Sequence, residues 1–346
     1  MKPTLVLTFF LAACTQSPAS DRSGDGSKED DVPPAPGLAA DVAALPDGTL
    51  VMSLVDNEGE PQDTTILQRY SPGDEQWTQV PTGVRLGRLI ALNNDEVISG
   101  EGSLLYRINV HTGEASPIAV PESTPTIVGA AVLSDGTVLL LPDAGSQLLK
   151  IAGNEASAVG QDTNGLRAVS AMPDGSYVYA TVDQLTRVAS DGSESTIPFT
   201  EVDDELYHFA AALLPIDETH AAVVFETTSS DTEAVTWSTA VADFGTEELG
   251  SASPISVPGS ESFFMDFEPL GALGWTGVGY SRDRDAKGFS VRVDAEGDPT
   301  LIEQADPWTE GIAITTLPNG QIVRAYADLP SSDPAEWLTV MEISQP

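Results

Sequence analysis

The sequence predicts an all-β chain folded as a seven-bladed β-propeller of four-stranded antiparallel blades. Three observations carry this expectation. A hairpin unit first seen at Leu38–Val55 returns at Ile127–Leu141, Leu166–Val182 and Gly311–Ala327, turning on Pro46-Asp47-Gly48, Ser134-Asp135-Gly136, Pro173-Asp174-Gly175 and Pro318-Asn319-Gly320. Asp-Gly between apolar runs supplies the positive φ angles of a two-residue hairpin, and a hairpin unit recurring every ~40 residues marks a propeller or array. A second hairpin alternates with the first, with Arg69-Tyr70 before Gly73, Arg107-Ile108 before Gly113, Lys150-Ile151 before Gly153, Arg187-Val188 before Gly192, Val241-Ala242 before Gly245 and Arg292-Val293 before Gly297. The first strands, finally, are built of small residues (Ala39, Ala40, Ala43, Ala44; Gly129, Ala130, Ala131; Ala210, Ala211, Ala212), as strands crowding a central axis require.

Taken in order, the repeats begin near Leu38, Val84, Ile127, Leu166, Tyr207, Phe263 and Gly311. The last one reaches Trp337–Ile343 and stops one strand short. Its neighbour Asp333-Pro334-Ala335-Glu336 reads as a helix start with Pro in the first turn, but repeat position makes Trp337–Ile343 a strand. Val32-Pro33 stands ahead of the first turn as Val80-Pro81 and Val120-Pro121 stand ahead of later ones. Lys28–Pro33 is therefore expected to supply the missing strand and close the ring, which removes exposed sheet edges. The expected organisation is a signal peptide over 1–13, a tether over 14–27 and the propeller over 28–346.

The first residues carry an address. Lys2 precedes an apolar run, Thr4–Ala13, too short to span a bilayer and of the right length for a signal-peptide core. It ends in Leu11-Ala12-Ala13-Cys14, which resembles the lipobox of bacterial lipoproteins. The resemblance implies cleavage before Cys14 and acylation of that residue. It also implies localisation in the bacterial cell envelope, with Thr15 in place of Asp matching the outer-membrane pattern. Cys14 is the single cysteine, so no disulfide forms within the chain. Thr15–Ser27 has almost nothing apolar to bury and reads as a disordered tether.

With 53 acidic and 15 basic residues and a formal net charge of −38, the chain lacks the basic face that nucleic-acid binding needs. The expected partners are the membrane, through the lipid, and a protein or small molecule; no cofactor is expected, calcium being the open alternative. The Pro-Asp-Gly hairpins, with Asn109-Val110-His111-Thr112-Gly113-Glu114, resemble the NHL, gluconolactonase-like and quinoprotein-like propellers. That resemblance implies the fold. Its gluconolactonase-like members would hold a divalent ion at the axis with Glu, Asp and Asn.

The chain has no Gly-x-Ser-x-Gly elbow, no His-Glu-x-x-His, no phosphate loop and no dinucleotide fingerprint, and its three histidines are His111, His208 and His220. His111 and His220 are expected in solvent. The candidate channel-lining residues are Asp41, Arg88, His208 and Asp266. Long loops are expected at 56–63, 227–233, 282–287 and 330–334. Beside them run acidic connectors holding Glu201, Asp203, Asp204 and Glu205, and Asp306, Trp308 and Glu310. Together they form a candidate binding ridge of Asp203, Asp204, Glu205, Asp306, Trp308 and Glu310 on one face. The function expected is a lipid-anchored, non-catalytic binding or scaffolding module. A metal-dependent lactonase-type hydrolase and an envelope-assembly lipoprotein are the alternatives.

Overall fold

A computed structural model of the protein describes residues 32–54, 64–102, 104–121, 127–142, 147–160, 165–199, 206–229, 235–258, 262–281, 287–295, 297–303, 310–328 and 338–345. These residues form seven antiparallel sheets, and each sheet is a blade in chain order. The innermost strands are Ala39–Ala44, Ile90–Ala91, Ile127–Val132, Ala168–Ala171, Leu206–Pro215, Ser262–Pro269 and Glu310–Thr316, for blades 1 to 7. Blade 5 carries the longest strands, and its outer edge is split into Glu248–Leu249 and Ser253–Ile255, both paired with the third strand. Leu338–Ser344 is a strand, as repeat position requires. The one helical element is a 3-10 turn at Gly271–Leu273, and no helix among the described residues is long and apolar enough to cross a membrane.

The recurring turn differs from the expected two-residue hairpin. Leu45 N–H bonds Thr49 O, Gly48 N–H bonds Leu45 O, and Thr49 N–H bonds the Asp47 carboxylate. Only the glycine takes a positive φ, 86° at Gly48. This is a three-residue loop ending on a glycine in the left-handed region. Pro46 fixes its own φ near −65°, which excludes the mirror-image turn that needs positive φ at both central positions. The same bonds recur at Leu133–Thr137, Met172–Ser176 and Leu317–Gln321.

Packing follows the ring. The buried apolar residues fall into seven clusters, each lying between one pair of neighbouring blades. The smallest joins blades 6 and 7 through Val278, Ile314 and Ile322. There backbone replaces side chain: a Cβ on Gly311 would lie 2.8 Å from the Gly279 nitrogen and oxygen. The strands approach that closely because Gly311 carries no side chain.

The ring closes between the two ends of the chain. Ala35–Pro36 pairs antiparallel with Leu338–Ser344, placing Ala35 opposite Thr339 and Pro36 opposite Leu338. The pairing segment is thus displaced from the expected Lys28–Pro33. Val32 is buried in the blade 7–blade 1 cluster, and Pro33 O accepts a bond from Trp77 Nε1 at 2.8 Å, so the Val-Pro step packs against blade 1 instead of pairing. Residues 28–31, the signal peptide and the tether lie outside the described residues. Thr339, fully buried, fastens the closure by donating its hydroxyl to Gly37 O and accepting from Ala39 N, both at 2.8 Å.

Replacing Thr339 by Val keeps the shape and leaves both backbone groups buried without partners. The expected cost is about 2–3 kcal/mol, read as a lowered urea midpoint at unchanged slope. A Thr339→Val protein within 0.5 kcal/mol of wild type, by the same ~0.5 kcal/mol yardstick for neutral changes, would remove this clasp from the account.

Candidate functional site

The innermost strands surround an axial cavity of about 530 Å³. Five of these strands carry a β-bulge at the same level, between Ala39 and Asp41, Ile127 and Gly129, Ala210 and Ala212, Phe264 and Asp266, and Gly311 and Ala313. A bulge leaves one residue out of the ladder and re-aims its neighbours. In blades 3, 5 and 7 the residue after the bulge is Gly129, Ala212 or Ala313; in blades 1 and 6 it is an aspartate.

Both aspartates clamp the next blade. Asp41 accepts Val42 N–H at 2.9 Å through Oδ1 and Leu89 N–H of blade 2 at 2.7 Å through Oδ2. Asp266 accepts Ile314 N–H of blade 7 at 3.0 Å through Oδ2. Its Oδ1 meets Arg88 Nη2 at 3.3 Å, while Arg88 Nη1 donates to Val128 O of blade 3 at 3.2 Å. Blades 2 and 6 are separated by blades 7 and 1, so the guanidinium crosses the axis. Its side chain is 56% exposed, and it lines the axial cavity.

The backbone around Arg88 is pinned. Ser53 Oγ donates to Gly87 O at 2.7 Å, Gly87 N–H donates to Ser99 Oγ at 3.1 Å, and Leu89 N–H is held by Asp41. A Cβ on Gly87 would lie 2.6 Å from Gly100 O, so the approach needs glycine. These contacts fix the root of the Arg88 side chain, whose guanidinium reaches both Asp266 and Val128 O.

Burial sets the electrostatics. It pushes the carboxyls of Asp41 and Asp266 up; the charge of Asp266 adds to this at Asp41, and Arg88 pulls both back. Burial opposes the Arg88 charge, but Asp266 and then Asp41 outweigh it and raise its pKa. Glu268, two residues beyond Asp266 on the same face of its strand, is pushed up to about 8 by burial and then by Asp266. Glu226, on the second strand of blade 5, is also raised by burial.

The divalent ion implied by the gluconolactonase-like resemblance does not fit this axis. A calcium ion takes six to eight oxygens. Here Asp41 has both oxygens on backbone N–H groups, Asp266 has one on N–H and one on a guanidinium, and that cation stands among the carboxylates. No group of three or more His, Cys, Asp or Glu side chains suited to a metal occurs among the described residues.

Of the expected channel residues, Asp41, Arg88 and Asp266 line the cavity, and Arg88 joins Asp266 directly. His208 lies in the innermost strand of blade 5 opposite Thr227. Glu310 begins the innermost strand of blade 7 opposite Ala327. Asp203, Asp204, Glu205, Asp306 and Trp308 lie outside the described residues, as does most of each long loop. His111 bridges Arg69 and Asp95 at the rim of two hairpins, and His220 sits on Asp217. Sequence reasoning missed Glu268, Glu226, Arg167 and Trp237. Alternation from Asp266 could have found Glu268, and Arg167 stands directly before the innermost strand of blade 4; Glu226 and Trp237 had no signal, because only innermost strands were expected at the axis.

No family model matches the chain, and no curated protein matches it either. Solved structures do. A streptogramin B lyase is 8% identical at a TM-score of 0.56, covering 91% of this chain and 94% of its own. The WD40 β-propeller domain of Doa1 is 13% identical at 0.57, covering 91% and 95%. YCF48 bound to D1 peptide is 12% identical at 0.54, covering 91% and 94%. The chain is a seven-bladed β-propeller. At such identities the likeness shows the fold alone.

The raised Glu268 carboxyl gives a pH test. The folded state holds this proton more tightly than the unfolded chain, so stability falls as pH rises from about 4.5 to about 8. Glu268→Gln cannot lose the proton and is expected to flatten that fall by on the order of 1 kcal/mol, after allowance for the cavity water. Urea midpoints at pH 6 and pH 8 measure it; equal falls in wild type and variant contradict the assignment.

Proposed function

We propose that the protein is a lipid-anchored binding module of the bacterial envelope, with the axial cavity as its ligand site. The observation that supports this reading best is the division of labour at the axis. Asp41 and Asp266 hold backbone N–H groups of the next blade and Arg88 bonds Asp266 and Val128 O, which commits these three side chains to bracing the ring. Arg167 and Glu226 line the same cavity outside that clamp. A concave cavity of several hundred cubic ångströms, in which a few polar side chains converge among apolar and aromatic ones, is the default form of a small-ligand site. Neighbours in fold include a lyase, a WD40 domain and a protein solved with a peptide bound, so the axis of this chain, and not the fold, favours binding over catalysis.

The envelope address rests on Leu11-Ala12-Ala13-Cys14. Two acyl chains or more, at about 0.8 kcal/mol per buried methylene, hold a protein on a membrane durably. The acidic ridge of Asp203, Asp204, Glu205, Asp306, Trp308 and Glu310 is proposed as a second contact surface for a cationic partner.

Two measurements test the reading. Cys14→Ser should abolish palmitate labelling and move the protein from the membrane fraction to the soluble one; retention in the membrane would contradict the anchor. The Cys14→Ser chain should melt at the same temperature in calcium and in chelator at matched ionic strength. A midpoint raised by calcium alone would transfer the protein to the metal-dependent hydrolases.

A further inference from the structure

We infer that the axial cavity binds an organic cation, a guanidinium or ammonium head on a short apolar stem, with Glu226 as its counter-ion and the aromatic wall beside it as its seat. The inference rests on the binding reading above and names the chemistry of that site.

Glu226 stands in register between Phe209 on the innermost strand and Trp237 on the third. Trp237 packs edge-on against Phe264 at 4.9 Å, and Phe264 lies 5.0 Å from Phe267. Trp237, Phe264 and Phe267 line the cavity together with Glu226. Trp237 and Phe264 are buried and Phe267 is half-buried, so Phe267 offers the larger ring surface beside the Glu226 carboxylate, in a space that a small ligand can enter.

No Lys, Arg or His among the described residues forms an ion pair with this carboxylate. Among the described residues its polar partner is the Thr228 hydroxyl, at 3.5 Å, which is the outer limit of a hydrogen bond. The two cavity arginines are engaged elsewhere: Arg88 bridges Asp266 and Val128 O, and Arg167 lies over the Phe209 ring at 4.7 Å. That last contact shows a guanidinium seated on an aromatic ring of the same cross-strand row.

The physics favours a cation of this shape over other ligands. A carboxylate gives an ammonium or guanidinium a charge-assisted hydrogen bond, and aromatic faces add cation–π attraction when water is excluded. An apolar stem covers the ring surface that the head leaves bare. The field of a chain with net charge −38 draws cations to its openings and repels anions. A divalent metal would gain little here, since one carboxylate among rings offers two oxygens.

The probes are agmatine, which carries both heads on a four-carbon stem, and the neutral-ended peptide acetyl-Gly-Arg-Gly-amide. Each is titrated calorimetrically into the full-length Cys14→Ser chain, with sodium chloride at equal ionic strength as the control for screening. Saturable one-to-one binding of agmatine is expected, weakened tenfold or more by Glu226→Gln and unchanged by Asp191→Asn on an exposed outer turn. Agmatine alone binding identifies a free small cation as the ligand; binding of the peptide as well identifies an arginine side chain of a partner. Thermal melting of Glu226→Gln at or above the wild-type midpoint shows that the fold is intact. Absence of saturable heat with either probe, or equal affinity in wild type and Glu226→Gln, overturns the inference. That result would leave the anchor and calcium tests untouched, so the broader binding reading stands or falls separately.

Discussion

Seven sheets converging on one axis face a problem that their own ladders do not solve. Each innermost strand is the inner edge of its sheet, so backbone N–H groups that face the axis have no ladder partner. Asp41 and Asp266 answer this in blades 1 and 6 by reaching across to Leu89 and Ile314. Bringing two carboxylates into so crowded a place is unfavourable unless a cation accompanies them. Arg88 is that cation, and its position explains the rest: a guanidinium rooted in blade 2, bonded to blades 3 and 6, ties opposite sides of the ring through its centre.

The blade 6–blade 7 boundary shows what the clamp contributes. It has the smallest apolar cluster of the seven, and its glycines bring backbones together where other boundaries interleave side chains. The Asp266–Ile314 bond sits at this same boundary. Polar bonding and close backbone approach thus hold the place where hydrophobic burial is least. At the blade 7–blade 1 boundary the balance is reversed: a large cluster including Val32 and Trp77 is helped by the Thr339 hydroxyl.

The ring was legible in the sequence because its signals are local. Pro-Asp-Gly sets a turn within five residues, and the basic-apolar step before Gly marks the alternate hairpin. The turn subtype was misjudged by weighing Asp-Gly above the preceding proline. Closure was legible in kind but displaced in position, because Val32-Pro33 copies the spacing of other fourth strands while Ala35–Pro36 makes the pairing. Spacing reports where a residue packs as well as where it pairs, and only the partner strand distinguishes the two. At the axis, Asp41, Arg88 and Asp266 were found as channel-lining residues by aligning first strands, but that alignment did not show what they bond. Their true partners are backbone groups some 48 positions away, for both Asp41–Leu89 and Asp266–Ile314, which no local pattern encodes. Glu226 and Trp237 reach the cavity from second and third strands, beyond what a repeat alignment examines.

A ring braced in this way is a rigid mount, which suits the binding role proposed for its centre. The bracing is also where the account can most directly fail. A double-mutant cycle of Arg88→Met and Asp266→Asn, followed by urea unfolding at neutral pH, isolates the contact across the axis from the burial of either residue. The account predicts a coupling of about 1 kcal/mol or more, as for side chains that share one network. Additivity within ~0.3 kcal/mol, the range of independent sites, would mean that Arg88 and Asp266 merely face one another across water and that the axis is held by the blades alone.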